Sequence, residues 1–291
     1  MIDETYLTQT LRDLVAINSA NPDLSQDGAG ELAIARYTAA AMQALGMQAQ
    51  VDEPAPGRAN AVGLLRGAGG GKRLMWNAHM DTVGINGMPQ PFEACVRDGR
   101  LYGRGAQDMK GSLAAMLAAV KALRDQGVTL KGDLLLTGVA DEEYASLGTQ
   151  DIVRRYQADA AIVTEPTEMI ISRAHRGFIG FELEFFGRAA HGSRYQEGID
   201  AILMLGRFLN ELAGLEAELR ARTPHPLVGP PSLHTSLVRG GTEMSTYPAH
   251  CYLMIERRTV PGETVESAQA ELHAILDRLA AQDAAFKATL K

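Results

Sequence analysis

The stretch Leu134-Leu135-Leu136-Thr137-Gly138-Val139-Ala140-Asp141-Glu142-Glu143 decides how this chain is read. Its first six residues are almost continuously apolar, which predicts a strand buried on both faces, as in a sheet covered by helices. Three acids then stand together at the carboxyl end of that strand. Adjacent carboxylates at the mouth of a buried sheet repel one another. The run therefore implies a cation held among them, a shifted proton, or a solvated acidic turn.

Outward from this run, Ala61–Leu65, Arg73–Trp76 and Ala160–Val163 are further short apolar runs bounded by turn signals, predicted as buried strands. Apolar residues recur at helical spacing over Thr5–Ala16, Gly30–Leu45 and Gly111–Arg124, with Asn21-Pro22-Asp23 marking a loop. Gly67-Ala68-Gly69-Gly70-Gly71 reads as a flexible hairpin between two strands, since no strand–glycine–helix context supports a phosphate loop. Strands alternating with helices predict an α/β domain over residues 1–175, a mixed sheet covered by helices. From 176 to 291 the order becomes strand Phe178–Phe186, helix Glu197–Leu212, strands Ser232–Arg239 and His250–Thr259, helix Glu263–Ala281 and strand Phe286–Lys291. That βαββαβ order predicts an α+β, ferredoxin-like sandwich whose sheet edge suits dimerisation.

The 291 residues suffice for two domains, each with a core. A net charge of −7 without any run of five like charges argues against a nucleic-acid partner and against a polybasic membrane anchor. The two cysteines, Cys95 and Cys251, are far apart, which argues against a disulfide scaffold or a thiolate metal site. Both are expected to be small buried hydrophobes. The acidic start Met1-Ile2-Asp3-Glu4 leads into an amphipathic helix, so neither a signal peptide nor a membrane span is expected, and the expected location is cytoplasmic.

Three other places carry chemistry. In Trp76-Asn77-Ala78-His79-Met80-Asp81-Thr82-Val83 a strand presents an imidazole, and Asp81 can accept that ring's second N–H, fixing tautomer and basicity. Alone, the pair also fits an ordinary surface pair. Gly103-Arg104-Gly105-Ala106-Gln107-Asp108-Met109-Lys110-Gly111 places Asp108 just before a helix, either as a helix cap or as a donor at the same sheet edge. In Thr164-Glu165-Pro166 a lone glutamate follows an apolar strand. His79, Asp108, Glu143 and Glu165 thus fall at the ends of core elements on one edge, where ligands of open α/β sheets gather. One histidine with several carboxylates suits zinc, cobalt or manganese better than copper or an iron–sulfur cluster. With two metals close together, one carboxylate can bridge and a spare one can act as base.

These four motifs, in this order, resemble those of one family of co-catalytic metallohydrolases. It contains aminoacylases, acetylornithine deacetylase, succinyl-diaminopimelate desuccinylase and bacterial glutamate carboxypeptidases. The resemblance implies Zn2+, two per site, with Co2+ or Mn2+ as substitutes. His79 and Glu165 would bind one ion, Asp108 would bridge, Glu143 would bind the second, Asp81 would orient His79, and Glu142 would be the general base. Gly187-Arg188-Ala189-Ala190-His191-Gly192-Ser193 resembles the family's lid motif, which implies that His191 reaches the active site of a partner subunit in a homodimer formed through the lid. Glu256-Arg257-Arg258 resembles a lid strand in which Arg258 binds the substrate carboxylate, and Ser245 stands where many relatives have a substrate-binding asparagine. The implied activity is hydrolysis of an amide bond in an N-acyl amino acid or small peptide-like substrate.

In the family the chain re-enters the catalytic domain after the lid and there supplies a last histidine for the second zinc. None of His175, His225, His234, His250 and His273 sits in a motif resembling that segment. The resemblance is thus to the family without the C-terminal part of its catalytic domain. Two readings stay open: part of an ordinary hydrolase, or a weakly active or inactive relative that serves as a metal- or small-ligand-binding dimer.

Overall fold

Asp3 starts the first helix, its carboxylate accepting a hydrogen bond from the Tyr6 amide at 3.0 Å. The computed structural model describes residues 1–291, which divide into two units, Met1–Ile170 and Ile171–Lys291, ahead of the division expected at 175.

In the first unit, helices α1 (Glu4–Ala16) and α2 (Leu32–Ala44) precede strands β1 (Gln48–Ala55), β2 (Arg58–Leu65) and β3 (Leu74–His79). A small hairpin, β4 (Cys95–Arg97) with β5 (Arg100–Tyr102), leads to α3 (Gly111–Asp125), β6 (Leu134–Val139), α4 (Leu147–Arg155) and β7 (Ala160–Val163). The mixed sheet has the order β1-β2-β6-β3-β7. β1 with β2 and β2 with β6 are antiparallel; β6 with β3 and β3 with β7 are parallel. All six residues of β6 are buried at the centre, as its apolar run demands. Leu14, Ile34, Met42, Leu113, Leu117 and Leu136 fill one core, each contributing about 1.5–3 kcal/mol by leaving water.

Three expectations are corrected here. β2 and β3 are not neighbours, because β6 lies between them, so Gly67–Gly71 is no hairpin. The tract instead crosses the start of β6, with Ala68 and Gly69 donating to the carbonyls of Leu130 and Lys131 at 2.8 and 3.0 Å. A Cβ on Gly67 or Gly71 would stand 2.3 Å from the Gly132 backbone, which is why the crossing is made of glycine. β7 is exposed at all four residues, since it is an edge strand paired only with β3. Cys95 is exposed in the β4–β5 hairpin, whereas Cys251 is buried. Finally, β1, the β4–β5 hairpin and α4 are elements that apolar runs did not announce; β1 buries only Asp52.

The second unit runs β8 (Gly177–Phe186), α5 (Ala201–Ala221), β9 (Ser232–Gly240), β10 (His250–Thr259), α6 (Val265–Gln282) and β11 (Ala288–Leu290). The antiparallel order β11-β8-β10-β9 is that of a ferredoxin-like sandwich. β8 alternates, burying Phe181, Leu183 and Phe185. These meet Met204 and Phe208 of α5 and Leu272 and Ile275 of α6. Phe185 packs against Phe208 with ring centres 5.6 Å apart. Asp200 caps α5 and a Thr264–Ser267 capping box starts α6. No helix is long and apolar enough to cross a membrane.

Candidate metal centre

His79 ends β3 and is almost wholly buried, 1 % exposed. Its Nδ1 lies 2.9 Å from the Asp81 carbonyl, which can only accept, so Nδ1 carries a proton. The other nitrogen, Nε2, therefore faces the acids. Asp108 Oδ1 stands 3.0 Å from it, and Glu142 Oε2 and Glu165 Oε1 each stand 3.8 Å away. One donor atom each of His79, Asp108 and Glu165 lies within 4.8 Å of the other two. Two donors on one zinc-sized ion at about 2.0–2.2 Å sit no more than about 4.4 Å apart, and the separations from Nε2 fall inside that limit. The residues present fit a divalent cation.

Each donor is delivered by a different local device. Asp108 caps nothing: Lys110 is the residue before α3, and the helix start has no side-chain cap. Asp108 instead occupies an extended conformation, φ −116°, within the wide turn Ala106–Lys110, which turns its carboxylate toward His79. Glu165 follows edge strand β7. Its predecessor Thr164 is tied into the fold through Asn77 O, to which the Thr164 amide donates at 3.1 Å, and through the Thr164 carbonyl, which accepts from Ser112 Oγ at 2.6 Å.

Asp81 departs from its expected contact. Its carboxylate is 3.6 Å from His79 Nδ1, and its backbone carbonyl makes the shorter contact. The carboxylate accepts the amides of Glu142 at 3.0 Å and Glu143 at 3.2 Å, and Asn21 Nδ2 at 2.9 Å. Asp81 thus holds the end of β6 as well as the ring. Of the three consecutive acids, Asp141 turns inward to Arg58, while Glu142 approaches His79 and Glu143 is partly buried beside them.

Crowding shows in the ionisation. Burial works against a charged His79 ring, but the Asp108 hydrogen bond and the charges of Asp81, Glu165 and Glu142 overcome it and push the ring up to about 9. Burial, then repulsion from Glu142, Asp108 and Glu143 against the attraction of His79, pushes Glu165 up to about 7. Burial likewise raises Glu143, and the His79 hydrogen bond lowers Asp108. A bound cation would relieve these repulsions.

The sequence reading passed over several residues. Lys110 is fully buried, its Nζ donating to Ile17 O at 2.8 Å, and burial lowers it to about 7. Arg58, Glu31 and Asn21 form a buried polar layer behind the acids. A lysine closing a glycine-rich loop is a visible signal; Arg58 opening a strand is not. His191 and Arg258 belong to the second unit. His191 is exposed, with Nδ1 2.8 Å from Ser193 Oγ. Arg258 is exposed near the end of β10, paired with Glu256 and stacked over Phe178. A separate apolar cleft of about 540 Å3, lined by Leu74, Trp76, Leu123 and Leu130, includes none of the acids around His79.

The family model described as peptidase family M20/M25/M40 matches residues 75–284, a stretch that contains all eight candidate residues. Acetylornithine deacetylase of Myxococcus xanthus is 30 % identical over 298 aligned positions, covering 98 % of this chain and 75 % of the relative. Human carnosine dipeptidase 1 superposes with a TM-score of 0.75 at 18 % identity, over 99 % of this chain and 77 % of that one. A tripeptidase from Staphylococcus aureus gives 0.72 at 19 % identity, over 100 % of this chain and 75 % of that one.

Proposed function

This chain belongs to the peptidase family M20/M25/M40, and from that premise we propose that it hydrolyses the amide bond of an N-acyl amino acid with Glu142 as general base. The observation that carries the reading is one buried imidazole nitrogen facing three carboxylates within 3.8 Å. His79, Asp108 and Glu165 would hold one divalent ion, and Asp108 with Glu143 a second. When bound, such ions supply Lewis-acid activation of water and of the scissile carbonyl. The donor set of one imidazole with carboxylates favours zinc, with cobalt or manganese as substitutes.

The chain's own residues do the rest. Glu142 takes the proton of the attacking water and returns it to the departing amine, which requires a carboxylate held at a fixed place. Asp81 supplies that constraint by accepting the Glu142 and Glu143 amides, and it orients His79 through its carbonyl. Arg258 binds the substrate carboxylate, exchanging Glu256 for it. His191 from a second copy stabilises the oxyanion. A homodimer through the second unit is supported by β9, whose outer edge is unpaired and exposes Thr235, Ser236 and Val238. The likeness to an acetylornithine deacetylase favours an acylated amino acid over a peptide. Two free cysteines, one of them exposed, support a reducing, cytoplasmic location.

One observation favours a second reading, a binding dimer with weak turnover or none: the close donor group is His79, Asp108 and Glu165, with Glu143 outside it. Glu142→Ala tests the first reading. Bound zinc, measured by elemental mass spectrometry, should stay unchanged, while hydrolysis of N-acetyl amino acids falls by about 10²–10⁴-fold. Equal turnover removes the general base, and a wild-type chain that holds zinc without turnover favours the second reading.

A further inference from the structure

Behind the acids lies the buried polar layer, and its geometry has a direction. Arg58 grips Glu31 by two bonds, Nε to Oε2 at 2.8 Å and Nη2 to Oε1 at 2.9 Å. Nη2 also donates to Asp141 Oδ1 at 2.7 Å, and Nη1 donates to Asp23 Oδ2 at 2.6 Å. Asn21 Nδ2 donates at 2.9 Å to both Asp81 Oδ2 and Asp141 Oδ1, while its Oδ1 accepts the Asp23 amide at 3.0 Å. That pattern fixes the amide's orientation, because reversing it would aim an oxygen at two carboxylates. Glu31, Asn21 and Asp81 are wholly buried.

These bonds converge on Asp141, whose φ of 64° is left-handed, a conformation that costs a non-glycine residue free energy. Its N–H donates to Glu31 Oε1 at 3.2 Å, its carboxylate takes Arg58, Asn21 and the Leu147 amide, and its carbonyl takes the Ala145 amide at 3.2 Å. The left-handed residue turns the chain sharply out of β6. The next two amides then meet the two oxygens of Asp81.

We propose that Arg58 is a positioning residue for Glu142 and Glu143: with Glu31 and Asn21 it pins Asp141 in the left-handed turn that carries both glutamates to His79. The inference rests on the reading of these glutamates as base and ligand. Lysine at position 58 would keep the charge without the planar fork, so it cannot bond Glu31 twice and reach Asp141 at once. Asp23 is the natural control, because its side chain meets Arg58 at the half-exposed outer side of the cluster, 48 % exposed, and makes no bond to Asp141.

The test is amide hydrogen exchange on the full chain, resolved at Glu142 and Glu143. In the wild type both amides should be protected. In Arg58→Met and Arg58→Lys they should exchange about tenfold faster or more, with the β6 amides unchanged and Asp23→Asn at the wild-type level. If Arg58→Met does not fold, Arg58→Lys, which keeps the cation, carries the test. Wild-type protection in folded Arg58→Lys overturns the proposal, as does acceleration spread evenly over β6, which is the mark of a merely structural role. Co2+ titration of the same proteins separates this from the metal reading. Affinity should fall about 10–100-fold in the Arg58 variants. A wild-type chain that takes no Co2+ while its variants free the two amides refutes the metal reading alone, and one that takes Co2+ while the amides stay protected in the variants refutes the positioning alone.

Discussion

Metal uptake should depend steeply on pH, with a slope set by His79 and Glu165. A metal ligand must be a neutral imidazole or an ionised carboxylate, so protons bound in the metal-free chain are released on uptake. With His79 near 9, the ring is about nine-tenths protonated at pH 8, which weakens uptake about tenfold; at pH 7 the loss is about a hundredfold, or about 2.7 kcal/mol. Glu165, near 7, adds a second proton at lower pH. The logarithm of affinity should therefore climb about one unit per pH unit between 7 and 9, approach two below 7, and level above 9. Calorimetric titration with chelator-buffered zinc, repeated at pH 8 in buffers of different ionisation enthalpy, should report about one proton released per ion, nearly all of it from His79. No release, or affinity flat from pH 7 to 8, would refute the ion pair between His79 and Asp108. The same groups act on folding without metal. Both have folded-state values raised above the unfolded ones, so their stabilising contributions are present at low pH and lost as pH rises, through about 7 for Glu165 and about 9 for His79. Lys110, lowered by burial to about 7, acts in the opposite sense as pH rises above 7, so the melting temperature of the metal-free chain should fall from pH 6 to pH 7 and then stay roughly level to pH 9.5, and zinc should raise it most at the alkaline end.

Three packing predictions accompany it. A Cβ on Gly132 would lie 1.8 Å from the Lys72 carbonyl oxygen, so Gly132→Ala should cost about 2 kcal/mol or more. Gly206, inside α5, has open space around it, and Gly206→Ala should stabilise by about 0.5–1 kcal/mol. Urea unfolding reads both, and effects of the same sign would refute the crossing geometry. Phe208→Ala, which removes a fully buried ring packed at a tilt against Phe185, should cost about 3–5 kcal/mol; a loss under about 1 kcal/mol would mean that the α5 face is not packed as described.

What could be read from the sequence was whatever is local. β6, β8 and β10 announce themselves by apolar runs or alternation, and His79 and Glu165 stand out because each ends or follows such a run. Strand order was hidden, since β6 pairs with partners far along the chain, and a glycine tract that crosses a strand looks like one that turns a hairpin. Cys95 misled because three-residue strands carry no period. Asp81 offers both a carbonyl and a carboxylate at the same spacing from His79, and only the backbone path decides which is nearer. Arg58 and Asn21 gave no signal because their value comes from Asp141, which joins them from the far end of β6.

The central place of β6 also fixes an order of events during synthesis. β2 and β3, its neighbours on either side, leave the ribosome first and wait while the loop region and α3 are made, several seconds at about 5–20 residues per second. Throughout that interval each strand exposes the edge meant for β6, and the flexible glycine tract between them permits a direct, unproductive pairing. His79 and Asp108 are translated before Glu142, Glu143 and Glu165 exist. No cation can therefore be gripped by the whole donor set until β6 and the residues after β7 have been made, so any help it gives to folding comes late in synthesis.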